Sequence, residues 1–310
     1  MVVTITKKSA VSNKTPTLPK YKPFIDKISV VIPIQAEDSE DIYSNIWQQI
    51  EDKAVFNQAG YKAKGQYKLA KRINLELPSR PLFQFDYENG KALKFRIEFN
   101  PRKVGPCGLL KLHAVLTSLC PGGWDYVVQH GAISRIDIAV DIPNARPGMF
   151  GVVPLQGLST KEWSVAGKLQ TLVLGAKKGN QTLLYNKKAL RLKQGQKWDG
   201  KASVRIERRL KNPSTKKLAD LPLMDNPFAG ITLTNFGPQP LKEKKSWVWS
   251  LFKDSVATRG VPAALAQLPK EKRTLYRNHL KLHAYDQWSP DEIWNAWPSY
   301  LNEMALHQKK

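Results

Sequence analysis

The sequence predicts an α+β fold, an antiparallel-rich central sheet flanked by helices, with a helical C-terminal appendage. Three observations predict it. Apolar residues alternate with polar ones at 83–99, 133–143 and 203–210, the two-residue period of strands with one covered face. Asn89-Gly90 sits between two such runs, a strong signal for a tight hairpin. Beyond about residue 240 the period lengthens to that of helices.

Taken in order, residues 1–24 carry Lys, Thr, Ser and Pro with little apolar periodicity and read as a flexible basic arm. IDKISVVIPI (25–34) is rich in β-branched residues and predicts a strand. Ile42, Ile46 and Ile50 recur at helical spacing behind Ser39, a candidate N-cap. Phe83 and Phe85 lead into the Asn89-Gly90 turn, and Phe95, Ile97 and Phe99 return from it. Leu109, Leu112, Leu116 and Leu119 share one helical face between Gly108 and the Pro121-Gly122-Gly123 break. A strand at 133–143 follows, then a second hairpin from 169–174 through Gly175–Asn180 to 181–185, then a strand at 203–210. In the last part, Ser246 starts a helix ending at Gly260, and EKRTLYRNHLKLHA suggests another. Ser289-Pro290-Asp291-Glu292 places Ser at N-cap, Pro at N1 and Glu at N3 of the final helix. The expected organisation is the arm at 1–24, an α+β domain at 25–238 and a helical region at 239–310.

Composition narrows the partner. The chain holds 49 Lys plus Arg against 26 Asp plus Glu, a formal charge of +23, with a pI near 9.9. So much positive charge favours polyanions, and each phosphate neutralised on binding releases a counterion. Nucleic acid is the expected partner, and an anionic membrane surface is the rival. No apolar run approaches the roughly 20 residues that span a bilayer. The first residues lack the apolar core of a signal peptide, and two cysteines, Cys107 and Cys120, suit a reducing cytoplasm. The expected location is cytoplasmic, with no membrane partner.

Alternation in 133–142 puts Ile136, Ile138, Val140 and Ile142 on one face and Arg135, Asp137, Ala139 and Asp141 on the other. Carboxylates on so apolar a strand need cationic partners or a bound metal ion. Asp137 and Asp141 lie roughly 13 Å apart at about 3.3 Å per residue, so they do not both ligate one ion directly. Glu207, alone among many cations in 203–210, is either their salt-bridge partner or a second ligand beside Asp137 for Mg²⁺ or Mn²⁺. Glu98 is a third strand acid. Tyr185, followed by Asn186-Lys187-Lys188, is the candidate nucleophile. A phenol attacks a phosphodiester only when its proton is removed and the developing charge is stabilised, here by Lys187 or a metal ion. Tyr67 and Tyr126 compete with it. Lys177 and Lys178, between glycines in the hairpin turn, and Lys188, Arg205 and Arg209, which flank the candidate site, are expected DNA contacts. Arg273, Arg277 and Lys281 form a helical stripe that reads as a solvated face or a phosphate contact. His279 and His283 are four apart without an evident third metal ligand.

Four segments together resemble the replication initiation proteins of rolling-circle plasmids and filamentous phages. They are FRIEFNPRK (95–103), ISRIDIAVDIP (133–143), LQTLVLGAKKGNQTLLYNKKAL (169–190) and VRIERRL (204–210), with the tail PDEIWNAW (290–297) also similar. The resemblance spans roughly 25–300, and the order of the pieces carries it. It implies a fold related to rolling-circle nicking domains and a metal-dependent nicking-closing endonuclease. Tyr185 would be joined to a 5′ phosphate, Asp137 and Glu207 would hold Mg²⁺ or Mn²⁺, and Asp141 and Arg135 would lie beside them. The implied partners are origin DNA in a single-stranded or hairpin region and a host helicase, with a dimer as one oligomeric form. The sequence departs from the family pattern at Val173, Lys177–Gly179 and Leu190, and it has no His-x-His metal pair. Two other readings stay open: a non-catalytic basic DNA-binding replication protein, and a relaxase or transposase of a mobile element.

Overall fold

The computed structural model describes residues 21–51, 55–57, 67–77, 79–153, 159–198, 200–201, 203–235, 241 and 246–307. Most of the expected arm, the 238/239 boundary and the Ser246 side chain lie outside these residues. Within them the chain runs through β1 (Phe24–Pro33), α1 (Ser39–Glu51), β2 (Phe56–Asn57), β3 (Leu69–Ile73), β4 (Leu82–Glu88) and β5 (Lys91–Phe99). Then come α2 (Pro101–Leu119), α3 (Trp124–His130), β6 (Ala132–Pro143), β7 (Gly151–Val153), β8 (Thr160–Val165), β9 (Lys168–Leu174) and β10 (Gln181–Asn186). The last part comprises α4 (Lys187–Lys193), β11 (Ser203–Lys211), β12 (Thr232–Thr234), α5 (Ser246–Ala266), α6 (Lys270–Leu282), α7 (Pro290–Trp294) and α8 (Trp297–Met304).

Ten strands form one sheet in the order β2-β3-β4-β5-β1-β6-β11-β10-β9-β8, and every neighbouring pair is antiparallel. The α+β class is therefore that expected. Alternation explains why one face is covered. Ile28, Val30, Phe95, Ile97, Ile136, Ile138, Val140, Val204, Ile206, Leu172 and Leu184 are buried and join one apolar cluster. Helices cover this face, with α1 on β5, α2 on β1 and α5 on β8 and β9. The side chains between them, from Gln84 through Arg96, Glu98, Ser29, Arg135, Asp137 and Glu207 to Tyr185, share the opposite face by register.

Several starts and stops differ from the sequence reading for physical reasons. Ser39 does not cap α1; its hydroxyl donates to the Ala92 carbonyl at 2.7 Å, and a 3-10 turn at Ala36–Asp38 leads into the helix. α2 begins at Pro101, seven residues before the expected Gly108 start, because Asn100 accepts from the Lys103 backbone N–H at 2.9 Å. Gly105, at φ 68°, then bends it. Asn89 and Gly90 both take positive φ, 48° and 75°, as a two-residue hairpin demands. Gly260 breaks α5 at φ 81°, and a Cβ there would lie 3.0 Å from Leu172. The C-terminal helices divide: Trp249, Phe252, Tyr276 and Leu280 of α5 and α6 form a second cluster. Ile293, Trp297 and Leu301 of α7 and α8 belong to the main core. No single described helix is long and apolar enough to cross a membrane.

Candidate active site

The open face of the sheet is a lattice of alternating charge, and its chemistry concentrates where β6, β11 and β10 run side by side. Register sets the rows. Asp141 faces Arg205, Arg205 faces Tyr185, and Tyr185 faces Thr171; one row along, Ala139 faces Glu207 and Glu207 faces Leu183. Directly paired residues point to the same face, so the phenol and the acids share one side of the sheet.

Tyr185 donates its phenolic proton to Glu207 Oε2 at 3.0 Å. The other oxygen of Glu207 accepts from Arg209 Nε at 2.6 Å, and the same Nε lies 3.8 Å from Asp137 Oδ2. Arg135 grips both oxygens of Asp137, at 2.8 and 2.7 Å. Asp137 and Glu207 are only 2% and 1% exposed, because these guanidinium groups lie against them. Next to this pair, Arg205 forks onto Asp141, Nε to Oδ1 at 2.7 Å and Nη2 to Oδ2 at 3.0 Å, and its Nη1 reaches Asp26 at 2.5 Å. The Phe24 ring lies beneath Arg205 and Arg102, 4.9 and 4.5 Å from their guanidinium carbons. Lys187 enters from the start of α4 and meets Asp141 Oδ2 at 2.6 Å. Its placement follows from Asn186, whose side chain caps α4 by accepting from the Ala189 backbone N–H at 3.1 Å and so turns the chain straight out of β10.

These groups floor a cavity of about 530 Å³. Its walls carry six cations (Arg102, Lys103, Lys187, Arg191, Arg205 and Arg209) against two carboxylates, Asp26 and Glu207. That balance suits a phosphate group. Tyr185 is 8% exposed, yet it lines this cavity and is not sealed in the apolar core.

Burial moves the titrating groups in opposite senses. It raises the Glu207 carboxyl above its usual range, against the lowering pull of Arg209, and Asp26 and Asp137 add to the rise. It lowers Lys187 below the usual lysine value, partly offset by the bond to Asp141. Burial also raises Tyr185 well above an ordinary phenol, and the negative charge of Glu207 adds to it. Asp141 runs the other way: burial would raise it, but the bonds and charges of Arg205 and Lys187 outweigh that and hold it low.

The residues expected from sequence divide clearly. Tyr185, Lys187, Glu207, Arg205 and Arg209 line one cavity. Asp137 adjoins it through Arg209, and Asp141 through Arg205 and Lys187. Asp137, Glu207 and Asp141 do not form a metal cradle: among the described residues no three His, Cys, Asp or Glu side chains gather as a ligand group. Each of their carboxylate oxygens already accepts from a cationic or phenolic donor. The donor set is that of an ion-pair lattice and does not fit the expected Mg²⁺ or Mn²⁺. Glu98 stays outside the site, held by Lys27 at 3.0 Å and Arg96 at 2.6 Å.

Among the expected DNA contacts, Arg205 is buried with its guanidinium committed to Asp141 and Asp26. Lys177 and Lys178 are exposed on the β9–β10 turn, and Lys188 lines a neighbouring cavity with Lys168 and Arg146. Arg273 closes the end of α5, donating to the Leu268 and Ala266 carbonyls at 2.9 Å, while Lys281 is exposed. α6 packs on the second apolar cluster through Tyr276 and Leu280, and Arg273, the half-buried Arg277 and Lys281 do not line the Tyr185 cavity. Of the competing tyrosines, Tyr126 accepts from the Gln35 backbone N–H, and Tyr67 is buried beside Lys94.

Two contributors escaped the sequence reading. Asp26 is the extra residue of a β-bulge between Ile25 and Lys27, which aims it at Arg205; no spacing pattern announces a bulge. Arg102 follows Pro101 at the N-terminus of α2 and reaches Asp141 at 3.3 Å. Its place in FRIEFNPRK was visible, but its partner, 39 residues on, was not.

No protein-family model matches the chain, and no curated protein matches it. Among solved structures it is similar to a rolling circle replication initiator protein from Geobacillus stearothermophilus, at 14% sequence identity and a TM-score of 0.37. The match covers 78% of this chain and 99% of that one. A TM-score so low does not fix one fold from the other, and the architecture rests on the strand order and register above.

Proposed function

We propose that the protein is a DNA strand transferase of the rolling-circle initiator type, in which Tyr185 attacks a phosphodiester and becomes joined to the 5′ phosphate. The observation that carries this reading is the 3.0 Å hydrogen bond from Tyr185 to Glu207 in a cation-walled cavity. Tyr185 Oη forms the new bond to phosphorus, the P–O3′ bond breaks, and its electron pair leaves on O3′. The phenolic proton passes to Glu207, and O3′ takes a proton from Lys187. The displaced pKa values suit these roles, since a raised carboxyl is the stronger base and a lowered ammonium the stronger acid. Arg209 and the other wall cations offset the charge on the phosphate oxygens. Rejoining is the same path reversed. No step is routed through a metal ion, because the carboxylates are engaged by guanidinium groups.

A second reading has one specific observation in its favour. Burial leaves Tyr185 a weaker acid than a free phenol, as befits a non-catalytic basic DNA-binding protein. One experiment separates the two. The protein is incubated with single-stranded and supercoiled cognate DNA, and any tyrosine joined to a 5′ phosphate is mapped by mass spectrometry. An adduct on Tyr185 supports the transferase. Salt-sensitive binding without an adduct leaves the binder. A relaxase or transposase would give the same adduct and differ in the element it serves.

A further inference from the structure

The row of residues that holds Tyr185 does not end at the cavity. Arg205 faces Tyr185, Tyr185 faces Thr171, and Thr171 faces Trp163 on β8, the last strand of the sheet. Trp163 is 53% exposed, although a tryptophan is among the costliest side chains to leave in water. Its direction is set by its neighbours. Leu172 and Ser164 turn toward α5, Leu172 against Gly260 and Ser164 Oγ donating to the Thr258 carbonyl at 2.7 Å. Trp163 and Thr171, one position away from each, therefore face the open side that carries Tyr185. Two strand spacings separate the backbone of Trp163 from that of Tyr185, roughly 10 Å. That is about three nucleotides of a stacked strand, and fewer of an extended one. Two exposed cations stand along the same edge: Lys161, two residues before the aromatic, and Lys168, whose register partner Val165 is two residues after it.

An exposed indole on a basic open sheet is the make-up of a stacking platform, where a base lies on the ring and its phosphates meet lysines. We infer that Trp163 stacks a base of single-stranded nucleic acid and leads the strand over the sheet edge into the Tyr185 cavity. The occupant is a single strand because bases in a duplex are already stacked and paired. This inference rests on the reading of the cavity as a phosphodiester site, but its test requires no cleavage.

Binding of a fluorescein-labelled 15-nucleotide mixed-sequence DNA, and of the same sequence as a duplex, is measured by anisotropy with the full chain. Four proteins are compared: Tyr185→Phe, and Tyr185→Phe carrying Trp163→Ala, Trp163→Phe or Trp163→Lys. The alanine variant is expected to lose about 5- to 150-fold in affinity for the single strand, with the duplex less affected and the phenylalanine variant close to its parent. Trp163→Lys separates stacking from charge and should not restore binding. A loss below about fivefold, an equal loss on both DNAs, or full rescue by lysine would overturn the inference. Sedimentation in the same buffer guards against the rival occupant, a second copy paired along the β8 edge. A dimer that Trp163→Ala dissociates would also overturn it. Lack of a Tyr185 adduct in the mapping experiment would remove the transferase while leaving these binding results to stand or fall alone.

Discussion

The open face of the sheet carries two ion-pair clusters that look alike in composition and differ in what surrounds them. On β5 and β1, Glu98 is held between Lys27 and Arg96, and Arg96 also binds Ser29 and Gln84. On β6, β11 and β10, Asp137, Glu207 and Asp141 are held between Arg135, Arg209, Arg205 and Lys187. The first cluster closes on itself. In the second, one carboxylate oxygen takes its proton donor from a phenol, and the groups floor a cavity that admits a phosphate-sized ligand. Charge pairing is common to both clusters. What distinguishes the second is a phenol hydrogen-bonded to a carboxyl group that burial pushes above its usual range, at the floor of a cavity.

The sharpest way to break this contrast is at the nucleophile. Tyr185→Phe should abolish the covalent DNA adduct while leaving the fold intact, whereas Glu98→Gln in the other cluster should leave adduct formation unchanged. Both are read by denaturing gels of labelled DNA, and an adduct surviving Tyr185→Phe would move the reaction elsewhere. Glu207→Gln should follow, lowering the adduct rate by about 10²- to 10⁴-fold, the usual contribution of a general base. Because the Glu207 carboxyl lies above its usual range, the wild-type rate should rise with pH through that raised value as the carboxylate forms. The glutamine variant should lose that limb. A flat wild-type profile would place the base elsewhere.

A smaller effect separates the clusters by stability. Asp141→Asn leaves the buried Arg205 with only part of its charge compensation and should cost about 2–4 kcal/mol, read from urea unfolding. Asp141 titrates lower in the folded chain than its ordinary 3.8. Its contribution is thus fully present above that value and is lost as pH falls through the lower folded one. Lys27→Met, in the partly exposed cluster, should cost at most about 1 kcal/mol. A loss equal to that of Asp141→Asn would erase the energetic difference between the two regions.

Much of this architecture was legible because alternation is a local property. The run Ile136, Ile138, Val140, Ile142 names its own covered face, and so places Arg135, Asp137 and Asp141 together on the other. Asn89-Gly90 names its own turn, and Ser289 caps α7 from within four residues. β8 was missed, since TKEWSV carries its apolar residues on an edge where five of six positions are exposed and no buried face writes a pattern. The pairing of Tyr185 with Glu207 is likewise written in no local pattern, since the two residues lie 22 positions apart on different strands.

By itself, then, the sequence determined which residues lie on strands, which face of each strand is apolar, and that the surface is strongly cationic; these follow from side-chain chemistry repeated at a fixed period. Tertiary structure alone decided that Glu207 receives the phenolic proton of Tyr185, that Arg209 bridges it to Asp137, and that Asp26 leaves a bulge to meet Arg205. Those contacts depend on strand order and register across residues as far as 179 positions apart. No local periodicity encodes them, because pairing between distant strands is fixed only when the whole apolar face is buried at once.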